Sequence, residues 1–283
     1  MHTLRVATLN VWNKSGPWPE RREILRRQLA ELQPDLLALQ EVLRFEPALA
    51  PAELAEISDQ AEEIAAGFGF SIAYAPAADL GNGLSIGNAL LSRFPLVEER
   101  AFQLPHAGTE ELRSLLYARV RTPAGDCPVF VTHLSWRFHH GFARLEQLRF
   151  ILDRVEALCP ASSALPPLLI GDMNAEPDSD EMRHLRGLHT IDGKSVFYSD
   201  AWVYAGSGPG YTFDRENHYA ALAGEAPRRI DYLYVRAMEE HRRTEWLSAR
   251  LAFTHGERTA QGPIWASDHF GVFAELRVGP APA

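Results

Sequence analysis

Cysteine is almost missing from this chain: Cys127 and Cys159 are the only two among 283 residues. Two thiols cannot build a disulfide framework, and the residues around them lack the paired spacing of a thiolate zinc site. A reducing compartment, and with it a cytoplasmic location, is the expectation. Long hydrophobic runs are lacking too, because charges or prolines interrupt each one before the roughly 18 apolar residues that a membrane span requires. The opening stretch Met1–Asn10 alternates as a strand would and has no apolar core of the kind a removed leader carries. A soluble chain with no transmembrane segment follows. Positive charge is in deficit as well: the formal net charge of -9 repels polyanions at long range and argues against indiscriminate duplex binding through a basic face. A local basic pocket stays open. There is no internal repeat, and the only biased tract is the Pro/Ala tail from Gly279 to Ala283.

What is present is ordinary globular material, with 46% hydrophobic and 23% charged residues, enough for a large core. Layered α/β proteins of this length form single units, so one domain over 1–278 is expected, with a short flexible tail at 279–283. Strand-like runs recur at Leu4–Leu9, Leu36–Gln40, Phe70–Ala75, Asn88–Ser92, Leu115–Arg121, Val129–His133, Leu168–Gly171, Ile230–Val235, Leu247–Phe253 and Phe270–Val278. Helical spacing lies between several of them. Ile24, Leu25, Leu29 and Leu32 share one face of Glu20–Leu32, which Pro34 stops; Leu54, Ile57, Ala61 and Ile64 repeat the pattern before Gly67. The longest, Phe142–Leu158, lines up Leu145, Leu148, Ile151, Leu152, Val155 and Leu158. Helices with one apolar stripe, set among strands that include a hairpin over Leu115–Val131, suit mixed sheets covered by outer helices. Pro76–Gly87 and Ala205–Ala226 read as loops that rim a site.

Asn10, Glu41, Asp172, Asn174, Asp231, Asp268 and His269 each follow, end or sit inside a short apolar strand run. In an open α/β sheet the strand ends converge on one edge, so such side chains can meet in one crevice. Glu41 leaves a carboxylate at a strand's mouth, where a hard cation such as Mg²⁺ would use it; taken alone it reads more readily as a surface glutamate after a strand. Asp172 and Asn174 lie where Leu168-Leu169-Ile170-Gly171 breaks into a turn, which by itself would account for both. Ser267-Asp268-His269 sets an acid beside an imidazole at a strand entrance. Such a pair can bind metal and phosphate, and the imidazole can donate a hydrogen bond or move a proton if another group fixes its ring. Asp231 lies inside an aromatic and aliphatic strand and, if buried, would need a partner: it is either that orienting group or half of a structural pair. His133 closes an apolar strand as a site residue or a satisfied core histidine, and His139 and His140 read as rim residues. Arg144 and Gln147 share a helix face and could hold His133 or a phosphate, or form plain solvated surface.

Taken in order, Thr8-Leu9-Asn10, Leu39-Gln40-Glu41-Val42, Asn88-Ala89-Leu90-Leu91-Ser92-Arg93, Thr132-His133-Leu134, Gly171-Asp172-Met173-Asn174, Arg229-Ile230-Asp231-Tyr232 and Ser267-Asp268-His269 resemble the endonuclease/exonuclease/phosphatase superfamily of metal-dependent phosphoesterases nearly end to end. The resemblance implies a four-layer α/β sandwich, two mixed β-sheets packed face to face with helices outside. It implies that Glu41 holds Mg²⁺, or Mn²⁺ as a substitute, with Asn10 and Asp268 close by. Asp172 and Asn174 would position the attacking water and a phosphate oxygen. Asp231 would orient His269, and His269 would contact the phosphate either as general base or as a stabiliser of the transition state. His133 completes the implied catalytic set, while Arg144, Asn88 and Trp136 are candidates for substrate binding.

Two departures narrow the subgroup. Repair endonucleases of the superfamily carry an acid two residues after the first asparagine, where this chain has Trp12, and a tyrosine where it has His133. Both differences resemble the sphingomyelinase, deadenylase and inositol-phosphatase side. The leading expectation is therefore a hydrolase of a small or lipid-derived phosphate ester, without strong evidence for duplex nucleic acid. A nuclease for single-stranded or tethered DNA or RNA is the alternative, with Trp136, Arg137, Tyr211, Phe213 and Arg215 for stacking and charge. A noncatalytic binding module of the same fold forecasts a degraded site, yet every expected polar position is filled.

Overall fold

Leu4 and Val6 face one way and Ala7 and Leu9 the other, and this period of two runs through most strands of the protein. The computed structural model describes residues 2–46, 59–159, 165–236, 244–259 and 262–279. In chain order the elements are β1 (His2–Asn10), α1 (Trp18–Leu32), β2 (Leu36–Phe45), α2 (Gln60–Ala65), β3 (Ser71–Gly81), β4 (Leu84–Ser92), β5 (Leu96–Gln103), β6 (Ser114–Thr122) and β7 (Gly125–His133). They continue with α3 (Gly141–Leu158), β8 (Leu168–Asp172), α4 (Asp180–Leu185), β9 (Tyr198–Asp200), α5 (Ala201–Ala205), α6 (His218–Ala221), β10 (Asp231–Arg236), β11 (Thr244–Ala252), β12 (Glu257–Thr259), β13 (Gly262–Ile264) and β14 (Gly271–Val278).

Two six-stranded sheets result, ordered β11-β14-β1-β2-β4-β3 and β5-β6-β7-β8-β10-β9. Each is mixed: β1 runs parallel to β2 and β7 parallel to β8, and the other neighbours are antiparallel. The two pack face to face, because one buried cluster joins Leu4, Val6, Leu36 and Leu90 of the first sheet to Leu116, Val131, Ile170 and Leu233 of the second. The outer face of the first sheet buries Leu37 and Leu39 against Ile24, Leu25 and Leu29 of α1 and Ile64 of α2. The outer face of the second buries Phe130 and Leu169 against Leu148 and Ile151 of α3 and Met182 of α4. The protein is a four-layer α/β sandwich.

Most expected elements are present with bounds moved by a few residues. Of the second helical pattern, Ala61 and Ile64 are buried in α2, whereas Leu54 and Ile57 lie outside the described residues. The expected loop Pro76–Gly87 is instead the far half of a hairpin, β3 to β4. Its turn is Asn82-Gly83, both at positive φ (52° and 75°), the geometry that suits a two-residue hairpin. Pro76 sits where the ladder slips between Pro76 and Ala78, an irregularity that tolerates a residue without a backbone donor. Gly87 is required by crowding, since a Cβ there would lie 2.1 Å from the Ala75 carbonyl oxygen. Ala205–Ala226 remains largely irregular apart from the end of α5 and the short α6.

Candidate active site

The ends of strands from both sheets meet at one edge of the sandwich. In the second sheet, register sets His133 of β7 beside Asp172 of β8, and Asp172 beside Asp231 of β10. In the first, Asn10 ends β1 beside Gln40, and Asp268 and His269 immediately precede β14. Asn10 joins the sheets by donating from Nδ2 to Asp172 Oδ2 (3.0 Å) and to Glu41 Oε1 (3.1 Å). Glu41 and His269, 228 positions apart in the chain, are thereby on the same side of the molecule and linked through Asn10 and Asp172.

Backbone irregularity aims these groups. The pairing of β2 with β4 slips between Leu39 and Val42, and Glu41 takes φ 59° within that bulge. Asn13 Nδ2 donates to its second oxygen at 3.2 Å. Trp12, Asn13 and Asn174 also have positive φ, so four left-handed non-glycine residues gather here, each a conformation that persists only where its surroundings over-determine it. Arg21 supplies part of that constraint. Fully buried, it donates to the carbonyls of Val11, Asn13 and Ser15 and stacks on Trp12 and Trp18. Ser267 Oγ donates to the Asn10 carbonyl (2.6 Å), and the Ser267 carbonyl accepts from Asn217 (2.8 Å), which fixes the turn carrying Asp268 and His269.

Two histidines flank Asp172 in opposite electrostatic settings. His269 Nδ1 hydrogen-bonds Asp231 Oδ2 at 2.9 Å, and its Nε2 lies 3.9 Å from Asp172 Oδ2. Burial alone would lower its pKa, but the charge and hydrogen bond of Asp231, helped by Asp268 and Asp172, raise it to about 10. His133 Nε2 faces Asn174 Nδ2 at 2.9 Å and Asp172 Oδ2 at 3.4 Å, while its Nδ1 faces Arg113 Nη1 at 3.2 Å. Asn174 Nδ2 and Arg113 Nη1 can only donate, and a neutral imidazole has one acceptor nitrogen, so His133 accepts either from Asn174 at Nε2 or from Arg113 at Nδ1, the latter leaving Nε2–H for Asp172 Oδ2. Burial, Arg113 and His269 together hold His133 well below the usual histidine range. Burial, then the charge of Asp231, raises Asp172 to about 7. Burial with the charge of Glu41 raises Asp268 to about 6 against the pull of His269.

The donor set fits a hard divalent cation. Glu41, Asp172, Asp231 and Asp268 bring four carboxylates together near one imidazole, and oxygen ligands are what Mg²⁺-like ions take. Asp172, Asp231 and His269 offer ligand atoms all within 4.8 Å of one another, and Asp231 Oδ1 is buried without a hydrogen-bond partner. Ligation through Asp231 Oδ2 and His269 Nδ1 would break their mutual hydrogen bond, whereas ligation through Glu41 with Asn10 and Asp268 would leave it intact.

Of the remaining sequence candidates, the structure turns Arg144 away. Its Nε pairs with Glu181 (2.6 Å) and its Nη1 donates to the carbonyls of Ser135 and Arg137, so it braces the 135–138 loop and touches neither His133 nor the carboxylate cluster. Gln147 does the same for Ser135. Asn88 is buried and donates to Ser114, one step behind Arg113. Trp136 is half-exposed at the rim, with its amide held by Glu111. Glu111 also pairs with Arg113 (3.2 Å) and His140 (2.9 Å), and nothing in its polar segment advertised that role. Arg21 could have been found, because it shares the stripe Arg21, Leu25, Leu29 of α1.

The model of the Endonuclease/Exonuclease/phosphatase family matches residues 7–269. No curated protein matches the chain. Among solved structures, an endonuclease/exonuclease/phosphatase from Beutenbergia cavernae is 25% identical with a TM-score of 0.68, covering 100% of this chain and 73% of its own. TDP2 from D. rerio, complexed with single strand DNA product, is 20% identical with a TM-score of 0.71 over 98% of this chain and 100% of its own. The human Nocturnin catalytic domain, with bound sulfate anion, is 20% identical with a TM-score of 0.69 over 98% of this chain and 94% of its own.

Proposed function

The chain belongs to the endonuclease/exonuclease/phosphatase family, and from that premise we propose that it is a Mg²⁺-dependent hydrolase of a small-molecule or lipid-derived phosphate ester, acting by in-line attack of water. The observation that carries the reading is the junction of the two sheets at Asn10, Asp172 and His269, with Asp231 behind the imidazole. Glu41, with Asn10 and Asp268 beside it, would hold the ion, whose charge when bound offsets the negative charge that develops on phosphate and leaving oxygens. Asp172, with a pKa near neutrality, suits a group that orients the attacking water and takes its proton. Asn174 would reach a phosphate oxygen beside it by giving up its amide contact with His133, since its other amide hydrogen is held by the Leu134 carbonyl. His269, charged at neutral pH and fixed by Asp231, donates from Nε2 to a nonbridging oxygen and stabilises the transition state. His133 stays neutral and completes the cradle around Asp172.

Among the described residues no helix is long and apolar enough to cross a membrane, and both cysteines are free and buried. With these facts go two further parts of the proposal, a cytoplasmic location and a single domain over 1–278. Asp172→Asn and His269→Ala, assayed with Mg²⁺ and a panel of phosphate esters, should each lose at least about 10³-fold in kcat while remaining folded. Undiminished turnover in both would end the proposal. Nuclease action is the second reading, because a structural relative holds a single strand DNA product and this chain presents aromatic side chains at the rim.

A further inference from the structure

Phe138 keeps 60% of its surface exposed although a guanidinium lies over its ring. The Arg228 guanidinium carbon is 4.6 Å from the Phe138 ring centroid and 5.5 Å from that of Phe213, and Phe213 meets His269 edge-on at 5.2 Å. An unbroken row of His269, Phe213, Arg228 and Phe138 thus leads from the imidazole to an open aromatic face. Trp136, 49% exposed, stands two residues away with Arg137 over its ring.

The row is rigidly held. Phe213 and Arg228 exchange backbone hydrogen bonds of 3.0 and 2.9 Å, and Arg228, only 7% exposed, pairs with Glu225 while its Nε has no acceptor. Arg144 and Glu111 fasten the segment that carries Trp136 and Phe138. A purely structural stack would account for the burial of Arg228, but not for a large apolar ring left facing water beside it. A cation on one face draws electron density from the ring, so the open face of Phe138 favours an electron-rich planar group and would set a quaternary ammonium against a second positive charge.

We propose that Phe138, backed by Arg228 and Phe213, is the subsite that recognises the organic part of the substrate: a planar aromatic ring carried by the phosphate ester, in preference to a choline-type head group. The inference rests on the phosphoesterase reading of the His269 site and narrows it. The ring could be a nucleobase or an aryl group, which share this chemistry.

The test compares wild type and Phe138→Ala with Mg²⁺ on a nucleoside phosphodiester, an aryl phosphodiester and glycerophosphocholine. Wild type is expected to favour the ring-bearing esters, and Phe138→Ala to lose on the order of tenfold of that preference through KM, with Phe138→Trp restoring it. The better of the two ring esters identifies the source of the ring. Equal use of the choline ester by wild type, or an equal loss on all three esters in Phe138→Ala, overturns the subsite. Calorimetric binding of a nucleoside monophosphate and an aryl phosphate without metal separates the two claims. Binding of either that weakens about tenfold in Phe138→Ala, with no ester cleaved by wild type, sinks the phosphoesterase reading and keeps the subsite. Hydrolysis in which neither binding nor KM responds to position 138 keeps the reading and sinks the subsite.

Discussion

His133 and His269 lie on either side of Asp172 Oδ2, at 3.4 and 3.9 Å, yet one is pushed toward the neutral form and the other toward the cation. The difference comes from the partner on each Nδ1, Arg113 for His133 and Asp231 for His269. Arg113 is itself held by Glu111, which also receives the Trp136 amide and His140, so a chain of contacts runs from the rim to the buried imidazole. Burial, the largest cause of the depression, remains in Arg113→Leu, so removing the positive charge should raise the pKa of His133 only part of the way toward its ordinary range. The protonated imidazole could no longer accept from Asn174. The variant should therefore lose more in kcat at pH 6 than at pH 8, read from the pH–rate profile and from an NMR titration of the ring. An identical loss at both pH values would reduce Arg113 to a packing residue. Of this network the sequence disclosed the two histidines, Asp172, Asn174 and Asp231, because each closes or opens an apolar run, with Trp136 read as a substrate-binding candidate and His140 as a rim residue; Glu111 and Arg113 lie in a polar connection where a functional acid looks like any solvated one.

At the scale of elements, the strands that were legible are those buried on both faces, such as Leu168–Asp172 and Asp231–Arg236, which read as unbroken apolar stretches. β5 was not, because Leu96–Gln103 is an edge strand with Glu98, Glu99 and Arg100 at its centre, where charge protects the edge rather than marking a loop. Only the far half of the β3–β4 hairpin was read as loop, for a related reason: its proline and glycines are tolerated by a slipped ladder, a tight turn and a close strand contact, none of which a local pattern reveals. Gly171 shows how tight such contacts are at the site. It lies at φ 146°, and a Cβ built on it would sit 1.9 Å from the Thr132 carbonyl oxygen, across the parallel β7–β8 pair that aligns His133 with Asp172. Gly171→Ala must either push these strands apart or strain the backbone, a cost of about 2–4 kcal/mol. Chemical denaturation should show that loss of stability, and residual activity should fall further than the folded fraction does. A variant as stable as wild type would mean that the strands separate freely here, and that their register does not position the acid.

The whole molecule stands under the same charge imbalance that characterises its site. It carries a formal net charge of -9, and four of its acids converge where two sheets meet. Asp172 and Asp268, raised to about 7 and about 6, have folded pKa values above the value near 3.9 of an unfolded aspartate. Between those limits the folded state binds more protons than the unfolded state, so their contribution to stability is complete below about pH 4 and is lost as pH rises through about 6 and 7. His133, held low, acts with the opposite sign and costs stability as pH falls below about 6.5, while the contribution of His269 is present there in full and is lost progressively as pH rises from about 6.5 to about 10. A divalent cation competes with protons for the same carboxylates and stabilises the state that binds it. Mg²⁺ should therefore raise Tm by several degrees more at pH 8 than at pH 5.5, measured against Ca²⁺-free and Mg²⁺-free buffer at constant ionic strength. Glu41→Gln should shrink the gain at pH 8 without abolishing folding. A Mg²⁺ gain that is equal at both pH values, or untouched by Glu41→Gln, would place the ion elsewhere than among these acids.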